Sequence, residues 1–178
     1  DGENIELLSV QINGEAINNY KQNDISLSID SEYNDFELRI ENTINSKENS
    51  SLEGLYLSAG AYCTQCEAEG FRKITYFLDR PDVLAKYDVT VIANKAEFPF
   101  LLSNGNKVAS GDLTNGKHWV KWSDPFNKPC YLFALVAGDF DLLEDQFITQ
   151  SGREIALQLF VDKGMLGRGQ HALDSLKK

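Results

Sequence analysis

Apolar and polar residues alternate along several short segments of the chain, which is the pattern of strands with one buried and one exposed face. The alternation is clearest in residues 25–29, in residues 36–41 and from Tyr87 to Val91. Asn13-Gly14 and Asn115-Gly116 each lie between such segments. These pairs predict tight hairpins, because Asn-Gly readily adopts the positive φ angles of the turn. The pattern therefore predicts an all-β, largely antiparallel fold.

Three segments depart from simple alternation. Residues 131–137 are apolar throughout, which predicts a central strand buried on both faces. Residues 147–161 carry Ser151-Gly152 near their start, which predicts another hairpin. The stretch from Ala59 to Arg72 neither alternates nor is amphipathic over any length. We interpret this irregular stretch as a functional site.

The chain has 178 residues and a mass of 20.0 kDa, which fits one globular domain. We assign residues 1–162 to a β-domain. Residues 163–178 are predicted to be a linker and the first turns of a helix, since Leu166, Leu173 and Leu176 recur at helical spacing. The chain opens directly on a strand pattern and ends within this predicted helix. We therefore expect a piece of a larger protein, with the β-domain truncated at its start.

The net charge of the chain is −10, and residues 1–53 alone carry 12 acidic and 3 basic side chains. Such a field repels phosphate backbones and anionic lipids, so neither nucleic acid nor a membrane is an expected partner. The longest apolar run is also far shorter than the roughly 18 residues of a membrane span. We interpret the acidic front part as a solvated sheet face rather than a docking surface.

Three cysteines make an odd count, which favours a reducing compartment such as the cytoplasm over a secreted disulfide framework. Cys63 and Cys66 have the spacing of a zinc-ribbon or redox pair. A structural zinc site needs two more ligands, and only Cys130, His118 and His171 remain to supply them. We therefore expect buried free thiols rather than a metal site.

Long motifs of the chain resemble, in one order, the N-terminal β-domain of the aminopeptidase N family, bacterial zinc metalloaminopeptidases of the thermolysin-like (gluzincin) superfamily. The resemblance extends from Ile5 onward and is most specific in residues 52–140. The motifs that carry it are LEGLY (52–56), YCTQCEAEGFR (62–72), KITYFLDRPDVLAKY (73–87), FPFLLSNGN (98–106), HWVKWSDPF (118–126) and KPCYLFALVAGDF (128–140).

This resemblance implies a saddle-shaped antiparallel β-domain over the entrance of a separate catalytic domain, whose first helical turns would be residues 163–178. In the family, zinc is held by two histidines of an H-E-x-x-H motif and by a later glutamate, and the glutamate within the motif is the general base. Neither histidine of this chain lies in such a motif. Zinc is thus implied for the full-length parent, and we expect no metal and no turnover in this chain alone.

Gln65 and Glu67 match the Gln-x-Glu element of the family, and the resemblance makes them substrate-binding residues. The glutamate resembles the carboxylate that anchors the free α-ammonium of a peptide, and Gln65 would donate to a substrate carbonyl or hold Glu67 in place. The implied partners are the N-terminus of a peptide and the catalytic domain of the same protein. The parent would release N-terminal amino acids from peptides.

Other interpretations of these carboxylates remain open from the sequence. Glu67 is also compatible with an ordinary surface carboxylate or with an internal ion pair to Arg72. Glu69, two residues further on, is a weaker candidate than Glu67, and we assign it a structural role.

A different class of function is a freestanding β-sandwich module that binds carbohydrate or protein. Trp119 and Trp122 are three residues apart, so on a strand they face opposite sides and favour core packing over a flat sugar platform. In either class a missing neighbour would leave a sheet edge or apolar face uncovered, so self-association of the chain is a further expectation.

Overall fold

The structure is a computed structural model and describes residues 1–177. Every strand pairing in this part of the chain is antiparallel, so the predicted all-β, antiparallel fold is confirmed. The strands are β1 (Glu6–Ile12), β2 (Glu15–Ala16), β3 (Tyr20–Gln22), β4 (Leu27–Ile29), β5 (Leu38–Thr43), β6 (Gly54–Ser58), β7 (Ala61–Gln65), β8 (Ala85–Asn94), β9 (Phe100–Ser103), β10 (Asn106–Asp112), β11 (Lys117–Lys128), β12 (Leu135–Gly138), β13 (Asp141–Ile148) and β14 (Glu154–Val161). The helix α1 spans Leu166–Leu176, and short 3-10 turns span Phe71–Lys73, Thr114–Gly116 and Cys130–Leu132.

The strands form five sheets, ordered β2-β1-β5, β3-β4, β6-β7-β12-β9, β10-β11-β8 and β13-β14. The three predicted hairpins are confirmed. Asn13 and Gly14 have φ angles of 51° and 84°, and Asn115 and Gly116 have φ angles of 60° and 71°. Positive φ costs glycine little and asparagine less than most residues, so the local sequence fixes where the chain reverses.

The core of the described residues contains two clusters of buried apolar side chains. The first contains Val91, Leu101, Val120 and Ala137. It therefore joins β8 and β11 of the β10-β11-β8 sheet to β9 and β12 of the β6-β7-β12-β9 sheet. The second cluster is built on Cys66, Phe71 and Cys130, with Ile74, Phe77, Tyr87 and Phe133 packed around it. This second cluster lies directly beneath the turn that follows β7.

The predicted strand over residues 131–137 is only partly correct. β12 begins at Leu135, and the chain before it makes a 3-10 turn in which the Phe133 amide donates to the Cys130 carbonyl at 3.0 Å. The turn brings the Phe133 ring against Phe71 in the second cluster, with ring centroids 5.1 Å apart. The central position is confirmed, because β12 lies between β7 and β9.

The predicted C-terminal helix is confirmed as α1, which packs on the β13-β14 hairpin. Leu173 is 1% exposed, and a Cβ at Gly169 would lie 2.1 Å from Cδ1 of Leu143. Residue 178 of the predicted segment 163–178 lies outside the described residues, and the assignment of this segment to another domain stays a prediction. No helix within residues 1–177 combines the length and the apolar character needed to cross a membrane.

Candidate functional site

The stretch from Ala59 to Arg72, whose sequence has no periodic pattern, contains one regular strand and one tight turn. The strand is β7, which lies between β6 and β12. Its Cys63 is opposite Tyr56 of β6 on one side and Val136 of β12 on the other. The sequence of this strand does not alternate in polarity, because a strand that lies between two others and is partly buried on both faces need not have one polar face. The turn runs from Cys66 to Arg72 and is called the site turn below.

Glycine is required where the site turn closes. The Gly70 amide donates to the Cys66 carbonyl at 2.9 Å. A Cβ at Gly70 would lie 2.4 Å from the Gln65 carbonyl oxygen and 3.0 Å from the Gly54 amide nitrogen, both of which are backbone atoms. Any larger residue would therefore push the turn away from the end of β7.

The site turn is anchored from below by aromatic packing. Phe71 is 6% exposed, and its ring meets Phe77 and Phe133 edge-on at centroid distances of 5.4 and 5.1 Å. Cys66 and Cys130, at 2% and 1% exposure, fill the space beneath. Burial raises the pKa of each of these thiols to about 12, so both stay protonated at neutral pH.

Glu67 lies on the exposed side of the site turn. Among residues 1–177, no side chain or amide hydrogen-bonds or ion-pairs with its carboxylate. The Gln65 side chain donates from Nε2 to the backbone carbonyl of Glu67 at 3.2 Å. The Glu67-Ala68 peptide bond is cis. The structure thus brings the two sequence-predicted residues together, with the amide of one holding the backbone of the other.

The cations nearest to Glu67 in sequence are engaged by other carboxylates. Arg72 pairs with Asp79 at 3.0 Å and with Glu69 at 3.4 Å. Lys73 forms ion pairs with Glu53 and Glu3, and the Glu53 carboxylate raises the pKa of Lys73. The alternative in which Glu67 pairs internally with Arg72 is therefore wrong, whereas Glu69 does have a structural partner.

Asp79 is a member of the site that sequence reasoning missed. It is 2% exposed, and its carboxylate binds Arg72, seven residues earlier in the chain. The neighbouring Arg80 does not share this carboxylate and pairs with Asp82 instead, at 2.5 Å. No periodicity links positions 72 and 79, so the sequence offered no sign of this pair.

The residues that the structure describes do not fit a zinc site. No three His, Cys, Asp or Glu side chains within residues 1–177 are grouped so that they could hold a metal ion. The His118 ring bonds through Nε2 to the Phe98 carbonyl at 2.7 Å, and His171 is exposed on α1. The Cys63-Cys66 spacing thus belongs to a strand end, with Cys66 turned into the core.

The tryptophans do not form a platform for a sugar ring. Trp122 packs against the first cluster, and its Nε1 donates to the Leu101 carbonyl at 3.0 Å. Trp119 covers Gly111 on β10, where a Cβ would lie 2.9 Å from the indole nitrogen. Core packing, as expected from the sequence, is confirmed for Trp122.

The family model described as the Peptidase M1 N-terminal domain matches residues 4–132. The chain therefore belongs to this family, and the resemblance found in the sequence is confirmed.

Two curated relatives are both called Aminopeptidase N. The chain is 56% identical to the one from Haemophilus influenzae over 181 residues and 58% identical to the one from Escherichia coli over 177 residues. These alignments cover 100% and 99% of this chain but 21% and 20% of the relatives. The chain thus spans about a fifth of the length of the curated relatives it matches.

Solved structures agree with this assignment. A crystal structure of Legionella pneumophila aminopeptidase A in complex with aspartic acid has a TM-score of 0.93 and 36% identity, over 99% of this chain and 21% of that one. An M1 zinc metallopeptidase from Deinococcus radiodurans, bound to a Tyr-Ser-Ala substrate, has a TM-score of 0.77 at 15% identity, over 92% of this chain and 39% of that one. The second likeness shows the shared fold.

The thiols provide a test of the packing beneath the site turn. Because Cys66 and Cys130 are buried with pKa values raised to about 12, we expect Cys63 alone to react with a thiol reagent at pH 8 in the native chain. The other two should react only after unfolding in urea. Cys63→Ser should abolish the labelling of the native chain. Rapid labelling of two or three thiols in the folded protein would contradict the packing.

Proposed function

We propose that this chain is the substrate-recognition domain of a zinc aminopeptidase, which releases N-terminal amino acids from peptides. In this proposal the Glu67 carboxylate binds the α-ammonium of the substrate, and Gln65 fixes the backbone that carries it. The observation that supports the proposal most is the exposed Glu67 carboxylate, which has no partner within residues 1–177 although the turn beneath it is tightly held.

An unpartnered carboxylate at a fixed position suits the recognition of a chain end. A peptide's N-terminal ammonium offers three N–H donors and a full charge, whereas an internal peptide bond offers neither. An anion at a set distance from the scissile bond therefore favours the first bond over all others. Because the site turn is already ordered, little conformational entropy is lost when the ammonium binds.

The names of the relatives agree with this chemistry. The two curated relatives are called Aminopeptidase N, and the Legionella pneumophila enzyme was crystallised with aspartic acid, a ligand that carries a free α-amine. At 36% identity or more, these relatives support the same recognition here.

We further propose that the zinc ion and its general base belong to a part of the protein outside residues 1–177. Zinc would polarise the scissile carbonyl and activate water there. The chain by itself would then have no turnover. We also propose a cytoplasmic location, since three free cysteines suit a reducing compartment.

Glu67→Gln in the full-length protein tests the role of the carboxylate. The substitution keeps the size of the side chain and removes the charge, so we expect KM for an alanyl anilide to rise. Loss of one partner of a charge pair costs about 2 kcal/mol or more, which corresponds to a fall in kcat/KM of about 30-fold or more. Steady-state kinetics and the zinc content of the purified protein provide the measurement.

Glu37→Gln is the matched control for Glu67→Gln. Glu37 is another exposed glutamate whose carboxylate has no partner within residues 1–177, and it lies in the acidic front part of the chain. We expect no change in KM for this variant. Loss of zinc in Glu67→Gln, or an unchanged KM, would contradict the proposed role.

We also propose that the isolated chain self-associates. Several large apolar side chains are exposed on its strands and turns, among them Phe126 at 76% and Ile148 at 69%. Static light scattering should give a mass above 20.0 kDa that rises with concentration. A strictly monomeric mass over the same range would contradict this proposal.

A further inference from the structure

We propose that Arg72 and Asp79 are positioning residues for Glu67, an inference that rests on the proposed amine-binding role of Glu67. Neither residue would touch the substrate. Their buried ion pair fixes the end of the site turn, and it thereby sets the place of the carboxylate that meets the α-ammonium.

Arg72 is bound to Asp79 through three donors. Its backbone amide and its Nε both donate to Oδ2 of Asp79 at 3.0 Å, and its Nη2 donates to the Asp79 backbone carbonyl at 3.0 Å. The Asp79 side chain is 1% exposed and that of Arg72 is 20% exposed. A planar guanidinium that bridges a carboxylate and a carbonyl in this way has little freedom to rotate.

The second oxygen of Asp79 connects the ion pair to the core. Oδ1 accepts a hydrogen bond from Sγ of Cys130 at 2.9 Å, and Cys130 packs with Cys66 and Phe71 in the second cluster. Since the Cys130 thiol stays protonated, it remains a donor at neutral pH. The buried Asp79 carboxylate therefore joins Arg72, at the end of the site turn, to the second cluster, which includes Cys66 at the start of the turn.

The site turn is thus held at both ends while its middle is exposed. At its start, β7 is paired on both sides and Gln65 binds the Glu67 carbonyl. At its end, Arg72 is tied to Asp79. Arg72 makes no ion pair with Glu67, so its influence on Glu67 would pass through the backbone. A displacement of about 1 Å in a substrate-positioning group can cost about 100-fold in rate.

The test is a double-mutant cycle between Asp79→Asn and Glu67→Gln in the full-length protein. An amide at position 79 cannot accept hydrogen bonds on both sides, so Arg72 or Cys130 loses its partner. We expect Asp79→Asn alone to raise KM for an alanyl anilide by about 10- to 100-fold, with a smaller change in kcat. In the Glu67→Gln background the same substitution should cause no further rise in KM, because both substitutions act on the contact between Glu67 and the α-ammonium.

Two further variants keep the result interpretable. Asp82→Asn is the matched control, since Asp82 pairs with Arg80 at the exposed surface three residues away and should leave KM unchanged. Removal of a buried charge can unfold a domain. If Asp79→Asn does not fold, Arg72→Lys takes its place in the cycle, because lysine keeps the charge but cannot bridge the carboxylate and the carbonyl.

Each outcome decides the inference. An increase in KM that Asp79→Asn causes in the wild-type background but not in the Glu67→Gln background would support it. An equal increase in KM in the wild-type and Glu67→Gln backgrounds would overturn the inference while leaving the role of Glu67 intact. An unchanged KM in a folded Asp79 or Arg72 variant would do the same. An unchanged KM in Glu67→Gln itself would overturn the proposed function and this inference together.

Discussion

The buried ion pair between Arg72 and Asp79 organises the surface that carries Glu67. Burial of a carboxylate is costly unless several donors replace the water it has lost, and Asp79, at 2% exposure, has donors from Arg72 on one oxygen and from Cys130 on the other. The same contacts tie a surface turn to the aromatic cluster below. A surface turn, which is ordinarily among the mobile parts of a domain, is thus bound to one of its two apolar clusters.

The distribution of charge around the site turn follows from this arrangement. Arg72 and Lys73 are the cations closest in sequence to Glu67, and both are held by other carboxylates. Glu67 therefore keeps its charge unneutralised at the surface. The acidic excess of residues 1–53 adds a diffuse field that favours cationic ligands, although salt screens such a field over about 10 Å.

Much of the fold could be predicted from local patterns, because each pattern has a local physical cause. Asn13-Gly14 and Asn115-Gly116 specify turns by their backbone preferences, and alternation specifies strands by burial of one face. Asp79 could not be predicted in this way, because its partners Arg72 and Cys130 are brought to it only by the packed chain. The start of β12 was missed for the same reason, since Phe133 is drawn into a turn by its contact with Phe71.

The most direct test of the account is a crystal structure of the full-length protein with a bound peptide or amino acid. If Glu67 binds the substrate amine, the α-ammonium nitrogen lies about 2.7–3.2 Å from a carboxylate oxygen of Glu67, and the backbone of the site turn is unchanged. A ligand whose ammonium is bound by other carboxylates, while Glu67 contacts only solvent, would contradict it.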